Sequence, residues 1–184
     1  MQFDDGRRGS EAAPSVVLFF MIALGIDPGI ATTGYGVVRE ERDGRFTALG
    51  HGVILTPKTD GLPQRLKSLQ TQLRALVIEW KPDEVAVEEL FFATNAKTAI
   101  VVGEARGVIL LTLFEAGVPI SEYTPLQVKQ AVSGYGAADK KQMQEMVRLR
   151  LNLSKIPKPD DAADALAIAM THLQSRRLGQ NRIG

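Results

Sequence analysis

The sequence predicts an α/β domain, a five-stranded mixed sheet with helices on both faces. Three observations predict it. Short apolar runs bounded by turn residues crowd the first part of the chain, and apolar residues at helical spacing dominate after Leu62. One strand-like run, Val85 to Val87, sits between two helical segments, and the connection is long enough for a crossover, so it can lie parallel beside the first strand.

The elements follow in order. Met21 to Asp27 is an apolar strand ended by Asp27-Pro28-Gly29, and Gly34 to Glu40 is a second strand. Asp43-Gly44 is a hairpin turn leading to Phe46 to Leu55, the third strand of a meander. Leu62, Leu66, Leu69, Leu73, Leu76 and Val77 recur at helical spacing after Pro63, until Pro82 closes the helix at Trp80 to Lys81. Asn95 to Ala116 is a long helix stopped by Gly117, and Val118 to Tyr123 is a fifth strand. Helices follow at about Pro125 to Val132, at Asp139 to Leu151, and from near Pro159.

At 184 residues, 45% hydrophobic and 23% charged, the chain suits one domain with a real core. Residues 21–175 form that domain, with 176–184 a tail. Val16 to Ile26 is apolar, but Asp4, Asp5 and Glu11 accompany Arg7 and Arg8 and no cleavage site follows, so this is not a signal peptide. The run is also too short to span a bilayer, which leaves no membrane role. Met21 is a natural first residue of the first strand, so residues 1–20 are an upstream extension or a disordered tail. The absence of cysteine excludes disulfides and thiolate zinc sites and fits a cytoplasmic protein. His51 and His172 lack ligand spacing and receive no role.

Asp27 directly follows one strand and Glu88 directly follows another, so both acids stand at carboxyl edges, where open α/β sheets bind ligands. If the strands are parallel neighbours, about 5 Å apart, the two acids can share a cation. Taken singly, Asp27 reads more readily as a turn former, and Glu88 as half of an exposed Glu88-Glu89 pair. The last helix carries Asp161 and Asp164 three residues apart on one face of a segment that is apolar nearly all round. Helix capping accounts for Asp160 and Asp161, but Asp164 lies deeper. Carboxylates within about 4 Å of one another repel by ~1–4 kcal/mol per pair, which divalent cations relieve. An oxygen-only donor set favours Mg²⁺, with Mn²⁺ acceptable, and paired ions suit phosphodiester hydrolysis.

The net charge of +1 does not announce a nucleic-acid binder. Lys129, Lys140, Lys141, Arg148, Arg150, Lys155 and Lys158 nevertheless crowd one stretch, either as a basic surface or as solvated helix faces. Phe91-Phe92, just after the Glu88 strand, supply either core residues or one aromatic that reaches a base. Gly103 and Gly107 inside the long helix cost about 1 kcal/mol each, which close backbone packing explains. The packing partner is the chain's own sheet or a second subunit.

Gly25-Ile26-Asp27-Pro28-Gly29 with Thr33-Gly34-Tyr35-Gly36, Ala86-Val87-Glu88 with Phe91, Gln127-Val128-Lys129-Gln130, and Asp161-Ala162-Ala163-Asp164-Ala165-Leu166-Ala167 resemble the RuvC family of Holliday-junction resolvases. The resemblance runs from about Met21 to His172. It implies a ribonuclease H-like fold and a homodimer that nicks two strands of like polarity symmetrically in a four-way DNA junction. It also implies metal-binding acids at Asp27, Glu88, Asp161 and Asp164, with Asp161 the position where some relatives carry His. Phe91, Lys129 and Lys140 match DNA contacts, Lys141 adjoins them, and a branch-migration motor is an implied partner. The rival readings are a ribonuclease H-like nuclease on another branched DNA or RNA, a non-catalytic junction-binding module, and a sugar kinase or actin-like ATPase. The last needs two such halves, and the chain has length for one.

Overall fold

Period-2 alternation in the first strand decides the architecture. In β1 (Met21–Asp27), Leu24 and Ile26 point to one side of the sheet, while Ala23, Gly25 and Asp27 point to the other. Leu24 and Ile26 are fully buried in a core with Leu69, Leu73 and Val77 of α1 (Leu62–Trp80) and Ile109 and Leu113 of α2 (Ala96–Glu115). Ala23 joins a second core with Val128 of α3 (Pro125–Ser133), Val147 of α4 (Lys140–Arg150) and Leu166 and Met170 of α5 (Asp160–Arg177). Two cores on opposite faces of one sheet make a three-layer α/β fold. The computed structural model describes residues 20–90, 96–177 and 179, side chains of 96–98 excepted. The expected extension over residues 1–20 therefore lies outside the described residues except for Phe20, and so does Phe91.

The sheet order is β3-β2-β1-β4-β5, with β2 at Thr32–Glu40, β3 at Phe46–Leu55, β4 at Glu84–Glu88 and β5 at Ile120–Tyr123. β1 to β3 form an antiparallel meander, and β4 and β5 extend it in parallel from β1. The meander turns at Asp43-Gly44, where Gly44 takes a φ of 85° that a side chain would resist. The parallel pairing of β1 with β4 aligns Gly25 with Ala86 and Ile26 with Val87. Asp27 and Glu88 are thus consecutive, side by side, at the same edge.

Three expectations shift. β2 starts at Thr32 rather than Gly34, because Thr32 already pairs with Leu55 and the Thr33 hydroxyl ties back to the Gly29 carbonyl. β5 starts at Ile120 rather than Val118, since Pro119 has no amide hydrogen to donate, although its carbonyl accepts from Val85 N–H at 2.9 Å. Gly103 and Gly107 do not mark close packing on the chain's own sheet. A side-chain carbon at Gly103 would find only Leu90 Cδ1, at 3.8 Å, and one at Gly107 would find open space within 4 Å. Among the described residues, no helix is long and apolar enough to cross a membrane.

Candidate active site

Strand parity brings acids from two strands onto the helix α5 face. Asp27 shares its side of β1 with Ala23 and Gly25, and Glu88 shares its side of β4 with Ala86, whose neighbours in the core are α5 residues. The surface between them is built of the smallest residues. A β-carbon on Gly25 would collide with the Ala165 carbonyl and the Ala169 amide, one on Gly34 with the Asp161 backbone, and one on Gly36 with the Leu166 backbone. These glycines let the α5 backbone lie directly on β1 and β2. Gly34 pairs with Asp27 across the strands, so the helix turn carrying Asp161 is delivered beside Asp27.

The electrostatics record the crowding. Burial, then Glu88, Asp164 and Asp161, push the Asp27 carboxyl up to about 8, against a pull from Lys140. Burial and then Asp164 raise Glu88 to about 7, with Lys129 opposing. Asp164 is also raised, chiefly by burial, although Lys140 Nζ stands 3.5 Å from its Oδ2. Asp160 behaves differently: a 2.7 Å hydrogen bond from Lys158 leads the effects that hold it down at about 2. Asp160 is a lysine-paired surface acid, whereas Asp27, Glu88 and Asp164 face one another.

The cations are placed by local signals. A capping box between Asp139 and Gln142 starts α4 at Lys140, and another between Thr124 and Gln127 starts α3, one turn before Lys129. Lys140 and Lys141 occupy the first helical turn, where the dipole disfavours positive charge. Asp164 and Asp160 compensate Lys140: burial works against its charge, yet the two acids outweigh it and hold the ammonium above the ordinary lysine value. Glu88, Lys129, Lys140 and Asp164 line a pocket of about 310 Å³ with an apolar floor including Val128, Met143 and Ala167. Lys141 lies elsewhere, in a groove with Tyr135 and Met146.

The donor set fits a hard divalent cation, being carboxylate oxygen alone, with Asp27 and Glu88 held well above the usual carboxylate range by burial and then by neighbouring carboxylates. As the side chains stand, no three His, Asp or Glu groups among the described residues converge tightly enough to ligate an ion. The acids share an edge and a field.

The family model for crossover junction endodeoxyribonuclease RuvC matches residues 23–172. The chain belongs to the RuvC family. A crossover junction endodeoxyribonuclease RuvC from Syntrophomonas wolfei is 58% identical over 158 residues, covering 86% of this chain and 91% of that protein. The Thermus thermophilus RuvC structure superposes with a TM-score of 0.82 at 40% identity, covering 88% of this chain and 99% of that one. T. thermophilus RuvC in complex with Holliday junction substrate gives a TM-score of 0.80 at 38% identity over the same shares. The fold is ribonuclease H-like, as expected, and the chain is an endodeoxyribonuclease of the RuvC family.

The structure gathers Asp27, Glu88, Asp164, Lys129 and Lys140 about one edge, and sequence reasoning missed the glycine surface that seats α5. Gly25, Gly34 and Gly36 were visible only as motif letters, although their alternation with larger residues marks one face of each strand.

Proposed function

We propose that this chain resolves Holliday junctions by symmetric paired nicks in two strands of like polarity, in DNA recombination and repair. One observation carries the reading: parallel β1 and β4 set Asp27 beside Glu88, and α5 lays Asp164 over both. The reaction is metal-dependent, and Asp27, Glu88, Asp161 and Asp164 would hold the cations, two Mg²⁺ per site with Mn²⁺ accepted. When bound, such ions lower the pKa of the attacking water and stabilise the leaving oxygen. Glu88 and Asp164 share a pocket with Lys129 and Lys140, which would bring compact positive charge to the cut phosphate. Phe91 contacts the junction by its motif match, and Lys141 extends the basic rim away from the pocket. The cysteine-free chain suits the cytoplasm, where a branch-migration motor would deliver the junction. The test is a synthetic four-way junction beside a linear duplex of the same sequence, with and without Mg²⁺. Paired nicks at symmetric positions in the junction alone are expected; equal cutting of the duplex, or cutting in EDTA, contradicts the reading.

Paired nicking calls for two active sites, and α2 offers the surface for a homodimer. Ile100, Leu111 and Phe114 are 63%, 53% and 77% exposed, and with Gly103 and Gly107 they follow the spacing of a helix-pairing seam. The open space over Gly107 admits a partner helix closely. Phe114→Glu is expected to weaken self-association at least ~100-fold, giving a monomer by light scattering that nicks one strand without the paired second cut. A Phe114→Glu dimer indistinguishable from wild type removes this face from the interface.

A further inference from the structure

Below the acids, β4 and α5 are joined a second time by buried polar groups that the cleavage chemistry does not use. Glu84 is 8% exposed, His172 2% and Tyr123 1%. His172 Nε2 lies 2.8 Å from Glu84 Oε2, and Arg176 Nε donates to Glu84 Oε1 at 3.1 Å. The other ring nitrogen, Nδ1, lies 3.0 Å from the Tyr123 hydroxyl on β5. Glu84 is therefore gripped at both oxygens by residues one helical turn apart on α5, while His172 reaches a third element.

Position gives this grip a consequence. Glu84 and Glu88 lie on one face of β4, about 13 Å apart along the strand. His172 and Asp164 lie about 12 Å apart along α5, which runs the opposite way. A tie at the lower end therefore fixes where Asp164 stands against Glu88 at the upper end. Between the two ends, Gly25, Gly34 and Gly36 meet the α5 backbone and Leu166, Ile168 and Met170 pack into the adjoining core, contacts that hold the helix to the sheet without the directionality of a hydrogen bond. Stability alone does not call for a buried ion pair, since well-packed apolar residues often serve as well. Directional hydrogen bonds, by contrast, select one axial position and one rotation of the helix.

We propose that Glu84, closed upon by His172 and Arg176, is the positioning device that holds α5 against β4 and so sets the separation of Glu88 and Asp164 at the cation-binding edge. Glu84 and His172 are positioning residues, and their role rests on the reading of Asp27, Glu88, Asp161 and Asp164 as the metal site. Mn²⁺ binding to the full chain without DNA, followed by electron paramagnetic resonance, measures it independently of cleavage. His172→Ala and Glu84→Gln are expected to weaken Mn²⁺ binding about tenfold and to raise the Mg²⁺ needed for half-maximal junction cleavage by the same factor. The rate at saturating Mg²⁺ should return to within about twofold of wild type, and His172→Gln, which keeps a donor for Glu84, should lose less than about threefold in affinity. Folded variants with lowered melting points and unchanged Mn²⁺ affinity overturn the proposal, leaving the network as a brace of the fold. Failure of all three variants to fold overturns it too, because a positioning role requires that the domain stand without the tie. Asp164→Asn run in parallel separates the two levels: if it binds Mn²⁺ like wild type, the metal-site reading fails, whatever the tie does.

Discussion

At pH 8 and without divalent cation, Asp27→Asn is expected to melt about 5–10 °C above the wild-type chain, yet to nick junctions at least ~10³-fold more slowly in Mg²⁺. Both effects have one cause. Asp27 and Glu88 titrate at about 8 and about 7 in the folded chain, whereas unfolded carboxyls titrate near 4. Between those limits the folded state binds more protons than the unfolded one, so the stability these two groups contribute is fully present below pH ~4 and is lost as pH rises through 7 and 8. The substituted amide carries no charge to be desolvated by burial or to repel its neighbours and escapes that loss, on the order of 2–5 kcal/mol. The same missing charge removes a cation ligand. Thermal melts in EDTA at pH 5 and pH 8 check the account: the difference should be about threefold smaller at pH 5. A variant that melts no higher than wild type at pH 8 contradicts the crowding of carboxylates.

Gly25→Ala is expected to reduce cleavage at least ~100-fold through a single added methyl group. That methyl would collide with the Ala165 carbonyl and the Ala169 amide, which are backbone atoms and cannot rotate aside. Helix α5 must lift, and Asp161 and Asp164 lift with it, away from Asp27. Folding is expected to weaken by roughly 1–3 kcal/mol, the usual cost of overpacking. Gly107→Ala is the control, because a methyl group there meets nothing within 4 Å in the chain. Helix propensity alone then predicts a monomer stabilised by about 0.5–1 kcal/mol. Wild-type cleavage by a folded Gly25→Ala variant contradicts the close seating of α5.

The strand-end acids were legible because each lies beside its own local signal: Asp27 ends an apolar run at a Pro-Gly turn, and Glu88 ends a buried strand. The parallel pairing that joins them was legible from the length of the connection. Which of two adjacent aspartates turns to the site was not, since helical spacing admits both; the structure shows Asp160 committed to Lys158 and Lys140. The Glu84–His172 pair was invisible because its members stand 88 residues apart and neither carries a local mark. The glycines of α2 misled for a related reason. Composition signals a need for close approach without naming the partner, and the chain's own sheet does not supply it.

The central claim is that the acids at this edge hold cations against the phosphate that is cut. The most direct measurement replaces one non-bridging oxygen of the nicked phosphate with sulfur, once the nick is mapped, and compares single-turnover rates in Mg²⁺ and Mn²⁺. Sulfur binds the softer ion better. At least one diastereomer is expected to be cut at least ~10-fold more slowly than the oxygen substrate in Mg²⁺ and to regain its rate in Mn²⁺. Equal sulfur and oxygen rates in both metals, for both diastereomers, contradict the claim.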